Sequence, residues 1–144
     1  MEIRRAHADD LPSIVRIENS SFDRDAWDRE FFLEYLAQSA RSVFLVAAID
    51  RRIVGYALAF QSRTRAEIHS IAIAPGQRGR GIAAAFLKRT LAQLRRRGFE
   101  TVSLNVRLEN KAAIGLYRKL GFQRVRRVNG YYEDGAPAWR MRRT

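Results

Sequence analysis

Residues 66–83 read Ala66-Glu67-Ile68-His69-Ser70-Ile71-Ala72-Ile73-Ala74-Pro75-Gly76-Gln77-Arg78-Gly79-Arg80-Gly81-Ile82-Ala83. The run Ala66–Ala74 is rich in apolar residues and stops at Pro75, which predicts a strand. Apolar residues at Ile82, Phe86, Leu87, Leu91 and Leu94 then recur at helical spacing up to Gly98, which predicts a helix to about Arg97. Between the two lies Arg78-Gly79-Arg80-Gly81. Gly79 and Gly81 carry no Cβ, so backbone can come close to a ligand there. The first N–H groups of the helix have no internal acceptor, and the helix dipole adds partial positive charge. Strand, glycine turn and helix start together predict a pyrophosphate site. No Gly-Lys-Ser/Thr closes the turn, and the spacing is not G-x-G-x-x-G, so neither the mononucleotide P-loop nor the dinucleotide fingerprint is present.

Working outward, Ile3–Ala6 reads as a short strand, and Asp9-Asp10-Leu11-Pro12 as a helix start continued by Ile14, Val15 and Ile17. A loop near Asp23–Trp27 follows, and Asp28 caps a second helix carrying Phe31, Phe32, Tyr35 and Leu36. Ser42–Ile49 and Ile53–Phe60 form a hairpin about the turn Asp50-Arg51-Arg52. Downstream, Thr101–Arg107 is β-branched and apolar. Asn110 caps a helix that runs to Leu120 and ends at Gly121. Gln123–Val128 and Ala138–Arg142 read as strands around a loop at Tyr131–Gly135. The order β α α β β β α β α β β predicts one mixed α/β domain over residues 1–144.

The chain has no cysteine, which excludes disulfides, thiolate metal sites and a cysteine nucleophile. Two histidines, His7 and His69, are too few for a His-rich metal site, so no metal is expected. No run reaches the length of a membrane span and no apolar leader follows Met1, so a cytoplasmic location without membrane contact is expected. The net charge of +12 is large for 144 residues. Residues 78–97 hold Arg78, Arg80, Lys88, Arg89, Arg95, Arg96 and Arg97 and no acid, whereas residues 18–34 hold Glu18, Asp23, Asp25, Asp28, Glu30 and Glu34 against Arg24 and Arg29. That polarity suits an anionic cofactor and a cationic acceptor. The basic surface also suits contact with the ribosome or nucleic acid.

These segments resemble the GNAT superfamily of N-acetyltransferases over about residues 2–142. Arg78-x-x-Gly81-x-Ala83 matches the family's Q/R-x-x-G-x-G/A, and Ile68–Pro75 is similar to its S-I-A-V-x-P strand. Leu104-Asn105-Val106-Arg107 is similar to L-E-V-R, and Asn110–Phe122 to N-x-x-A-I-x-L-Y-x-x-x-G-F. Tyr131-Tyr132-Glu133-Asp134-Gly135 is similar to Y-Y-x-D-G. Together they look most like the branch that acetylates protein N-termini, typified by the ribosomal-protein alanine acetyltransferase. The resemblance implies a mixed, mostly antiparallel sheet flanked by about four helices. In it Ala66–Ala74 and Thr101–Arg107 are parallel and splay apart, and pantetheine enters the gap. It implies acetyl-CoA as donor, bound by Ile71, Ala72, Ile73, Arg78, Gly79, Arg80, Gly81, Ile82, Ala83, Ala84, Asn110 and Tyr117. The implied acceptor is a protein N-terminal α-amine; a lysine, polyamine or other small amine, or an impaired CoA- or RNA-binding module, are the alternatives.

Direct acetyl transfer needs a deprotonated amine and a proton for the leaving thiolate. Tyr117 matches the family tyrosine that points at the cofactor sulfur, and its phenol can donate at neutral pH. It also lies on the helical stripe Ala113, Leu116, Tyr117, Leu120, as a core tyrosine would. The family glutamate of L-E-V-R is replaced by Asn105, which cannot take a proton. Glu67 stands where the histone-acetyltransferase branch has its catalytic glutamate, and His69 lies two residues on, on the same strand face. Either supplies a base through a water, or an α-amine of pKa about 8 arrives already neutral. Asn105, Tyr131 and Tyr132 are the expected acceptor contacts, although Ala136-Pro137 stands where the family often has a further acid after D-G.

Overall fold

The computed structural model describes residues 1–21 and 27–144. The expected loop is thereby described only at Trp27, and the acids Asp23 and Asp25 lie outside the described residues. Seven strands form one sheet in the order β1-β2-β3-β4-β5-β7-β6. They are β1 (Glu2–Arg5), β2 (Ser42–Ile49), β3 (Arg52–Gln61), β4 (Ala66–Ile73), β5 (Val102–Arg107), β6 (Gln123–Val128) and β7 (Ala138–Arg143). Four α-helices accompany them among the described residues: α1 (Leu11–Ser21), α2 (Arg29–Leu36), α3 (Ile82–Arg96) and α4 (Lys111–Lys119).

The expected element order holds, with small shifts at the ends. The first strand is Glu2–Arg5, not Ile3–Ala6, because Ala6 turns into the core beneath α1. Asp9 and Asp10 belong to a 3-10 turn (Ala8–Asp10) that precedes α1. There Asp10 takes both guanidinium nitrogens of Arg4 at 2.8 and 2.9 Å and accepts the His7 N–H at 2.8 Å. Strand β4 ends at Ile73, one residue before Ala74, and Arg97 is the C-cap of α3. Asp28 caps α2 by accepting the Phe31 N–H at 3.0 Å. Both central residues of the β2–β3 turn, Asp50 and Arg51, have positive φ of 50° and 67°.

All sheet pairings are antiparallel except β4 with β5. That parallel pairing has only the rungs Ala66–Val102, Glu67–Ser103 and Ile68–Leu104. Past Ile68 the two strands part, and the upper edge of β4 stays unpaired on that side. One core lies under α3 and α4, with Ile68, Ile73, Phe86, Leu87, Leu104, Ile114, Phe122 and Met141. The other lies under α1 and α2, with Leu11, Ile14, Phe32, Phe44, Tyr56, Leu58 and Ala72. Gly55 lets α3 come close, since a Cβ there would meet Ile73 Cδ1 at 2.9 Å and Phe86 Cε2 at 3.1 Å. Among the described residues no helix is long and apolar enough to cross a membrane.

Candidate active site

At the upper end of β4 the chain enters the glycine turn, where Gly76, Gly79 and Gly81 have φ of 86°, 82° and 77°. Only glycine adopts that region without strain. A Cβ on Gly79 or Gly81 would meet nothing within 4 Å, so the turn is open on its outer side. The first helical bond of α3 runs from the Ala85 N–H to the Gly81 carbonyl at 3.1 Å. Among the described residues, the N–H groups of residues 78–84 find no backbone acceptor. With the helix dipole behind them, they form an anion cradle.

Arg78 takes a different part from the one its type suggests. Its Nε donates to the Ile73 carbonyl at 3.1 Å and its Nη2 to Ser21 Oγ at 3.2 Å. The side chain therefore braces the turn against β4 and α1, and Arg78 offers a ligand its backbone N–H. Ala72 is likewise buried against the α1–α2 side, so that residue can offer only backbone to the gap.

Midway along β4 simple alternation fails. Leu58 of β3 lies opposite Ser70, while Ala59 lies opposite Ile68, which makes His69 the extra residue of a β-bulge. Glu67, His69 and Ser70 all face the α1–α2 side. The His69 ring packs at 5.4 Å from Tyr35 and 6.1 Å from Phe60. Part of the ring reaches solvent, yet desolvation lowers its pKa below the ordinary histidine value, opposed by the charge on Glu67. His69 is therefore neutral at pH 7 and has a free nitrogen lone pair. Ser70 Oγ lies 2.7 Å from the hydroxyl of Tyr56, which in turn donates to Glu18. Glu18, counted from sequence among the acids of residues 18–34, is fully buried and accepts the Trp27 N–H at 2.8 Å. Burial, then the charge of Glu18, pushes the Tyr56 phenol far above its ordinary pKa.

Across the start of the splay, one residue ties the expected acceptor groups together. Arg140, opposite Asn105 in the β5–β7 ladder, donates from Nη2 to Glu67 Oε1 at 2.6 Å and from Nη1 to Asn105 Oδ1 at 3.4 Å. Asn105 Nδ2 donates to the Tyr131 hydroxyl at 3.2 Å. Arg107 holds the rest of the β6–β7 loop, with Nη1 3.1 Å from Asp134 Oδ2 and Cζ 4.1 Å above the Tyr132 ring. Glu67, Asn105 and Tyr131 thus form one network, while Tyr132 belongs to the adjoining clamp.

Tyr117 lies on α4, with its ring 5.8 Å from Phe122 in an edge contact. Its apolar surroundings push the phenol up to about 12, so the group is protonated at neutral pH. No acceptor for its hydroxyl is found among the described residues. Asn110 accepts the Ala113 N–H at 3.2 Å, as a cap does, which leaves its NH2 to donate elsewhere. Arg140, Tyr35 and Phe60 carried no motif; only the sheet register and the packing of α2 bring them to the site. Among the described residues no cluster of His, Asp and Glu side chains could hold a metal ion.

The sequence profile described as the acetyltransferase (GNAT) family matches residues 9–122. An N-alpha-acetyltransferase of Saccharolobus solfataricus is 31% identical over 98% of this chain and 91% of its own length. The crystal structure of Ard1 from Thermoplasma volcanium superposes with a TM-score of 0.91 at 29% identity, covering 99% of this chain and 95% of that one. The ribosomal-protein-alanine N-acetyltransferase of Brucella melitensis superposes with a TM-score of 0.87 at 25% identity, covering 99% of both chains.

Proposed function

The chain belongs to the acetyltransferase (GNAT) family and is an N-acetyltransferase; from that premise we propose that it moves an acetyl group from acetyl-CoA to the N-terminal α-amine of a polypeptide. The observation that carries this reading is the gap itself. Strands β4 and β5 part above Ile68 and Leu104, with an open N–H cradle at one end and the Glu67–Arg140–Asn105–Tyr131 network at the other.

When bound, acetyl-CoA supplies a thioester whose acyl carbon an amine can attack. The N–H groups of residues 78–84 hold the pyrophosphate, and the NH2 of Asn110 donates to the donor from the start of α4. The free edge of β4 at Ile71–Ile73 offers backbone groups to the pantetheine amides. Glu67, oriented by Arg140, draws the α-ammonium to the bulge. His69 takes one proton of the α-ammonium through a water, which frees the lone pair that attacks the acyl carbon, and the charge on Glu67 favours the imidazolium that results. Proton transfer to Glu67 itself would cost the Arg140 ion pair, which is why we assign the base to His69. As the C–S bond breaks, the Tyr117 hydroxyl gives its proton to the departing thiolate, and the second nitrogen proton, released as the amide forms, restores the phenol. Acceptance from an already neutral α-amine, of pKa about 8, needs less help than acceptance from a lysine near 10.4.

The test is release of coenzyme A thiol from acetyl-CoA in the presence of short peptides with free α-amines, with Tyr117→Phe alongside. The reading expects turnover that falls roughly 10- to 1000-fold in kcat for Tyr117→Phe, while donor affinity is retained. Absence of thiol release with every peptide refutes it.

A further inference from the structure

Beyond the acceptor network the same sheet face becomes cationic. On β7, Arg140 and Arg142 point to the side that carries Asn105, because Trp139 and Met141 pack into the opposite core. On β6, Arg126 lies directly opposite Arg140, and Gln123 opposite Arg142. Arg126 and Arg142 are exposed. Neither makes an ion pair among the described residues, in contrast with Arg140, Arg107 and Arg4. Two guanidinium groups facing each other across an antiparallel pair repel. The carboxylates of α2 do not relieve this. Glu30 and Glu34 line a groove of about 660 Å³ with Trp27 and Leu33, to which no sheet residue contributes.

We propose that this face, from Arg140 out to Arg126 and Arg142, receives the segment that follows the acceptor's N-terminus and selects acidic side chains there. The inference rests on the α-amine acceptor of the preceding section. From the amine held at Glu67 on β4, β7 lies two strand spacings away, roughly 10 Å, and β6 three, roughly 14 Å. An extended peptide covers these in about three and four residues at 3.3–3.6 Å each. Carboxylates at about the third to fifth acceptor residue therefore reach Arg126 and Arg142. The strip begins at the reaction centre and lies on one face of the sheet, which fits a peptide leaving that centre better than a nucleic acid wrapping the edge.

The experiment compares kcat/KM for peptides that share their first two residues and carry either glutamates or glutamines at positions three to five. Wild type is expected to favour the acidic peptide by about three- to tenfold, chiefly through KM, since exposed ion pairs are individually weak. The preference shrinks as salt rises. In Arg126→Ala/Arg142→Ala the two peptides converge. In Arg126→Glu/Arg142→Glu a peptide with lysines at those positions overtakes the acidic one. Arg95→Ala/Arg96→Ala on α3 removes the same charge elsewhere and keeps the preference. Equal use of both peptides by wild type overturns this inference and leaves the α-amine reading standing, whereas turnover of neither peptide defeats both. Loss of the preference in the α3 variant overturns it in favour of overall charge. Competition by a short single-stranded RNA that depends on Arg126 and Arg142, without any peptide preference, overturns it in favour of a nucleic-acid surface.

Discussion

Arg140 of β7 reaches over β5 to place Nη2 2.6 Å from Glu67 Oε1 on β4, and so bridges the two strands that the site requires to part. The pair lies just below the point where the β4–β5 ladder stops at Ile68 and Leu104. It fixes the width of the gap at its narrow end, and it sets a carboxylate beside Asn105, where the family sequence pattern has its glutamate.

A double-mutant cycle on this pair should therefore show coupling. Glu67→Gln and Arg140→Met together should lose less stability than the sum of the two, by about 0.5–1 kcal/mol in denaturant unfolding, a modest value because Glu67 is partly exposed. Strict additivity would mean that the contact contributes nothing to the fold.

The glycine turn gives a prediction with two readouts. Gly81→Ala forces a Cβ onto a residue at φ 77° and should cost about 1 kcal/mol or more of stability. The added methyl also points to the open side that the N–H groups of residues 78–84 share. Calorimetry at a temperature where the variant is folded should show at least about tenfold weaker acetyl-CoA binding, about 1.4 kcal/mol. Unchanged affinity would remove Gly81 from the donor site.

His69 should leave a mark on the pH dependence. Its lowered native pKa means that below about pH 6.5 the unfolded chain binds a proton that the native chain does not. The contribution to stability is complete above that pH and is lost as pH falls through the native pKa. In the assay, kcat/KM should rise through the same depressed pKa and level off before pH 7, and His69→Asn should lower the plateau by at least about tenfold. A wild-type profile retained in His69→Asn, together with its loss in Glu67→Gln, would move the base to Glu67.

The hairpin between β2 and β3 carries backbone strain unrelated to catalysis. Asp50 and Arg51 both sit at positive φ, the geometry for which Asn-Gly is suited. Replacing the pair by Asn-Gly should raise stability by about 1 kcal/mol, read from the denaturant midpoint at an unchanged slope. A lower midpoint would contradict the turn geometry.

What could be read from sequence follows from what is local. The limits of β2 (Ser42–Ile49) and the caps at Asp28 and Asn110 were legible because burial pattern and capping act within a few residues. So were the glycine turn and the tyrosine of α4, where spacing along the chain is the signal. The bulge at His69 was not, since it is a property of β4 against β3 and leaves no mark in the run Ile68–Ser70. Arg140 was one arginine among many, and only the β5–β7 register sets it opposite Asn105. Glu18 read only as one acid of an acidic region because its partners, Tyr56 and the Trp27 N–H, stand far along the chain or in the backbone. Tyr35 read only as a residue of the second helix and Phe60 only as a strand end; the packing of α2 and the β3–β4 register bring them beside His69.

The central claim is transfer to a polypeptide α-amine. The direct test is a single peptide with a free N-terminus and one internal lysine, incubated with acetyl-CoA and the enzyme, with the acetylated nitrogen located by fragmentation mass spectrometry. The account predicts one acetyl group on the α-nitrogen, one thiol released for each, and no reaction when the N-terminus is already blocked. Acetyl on the lysine ε-nitrogen, undiminished by blocking the N-terminus, would contradict it.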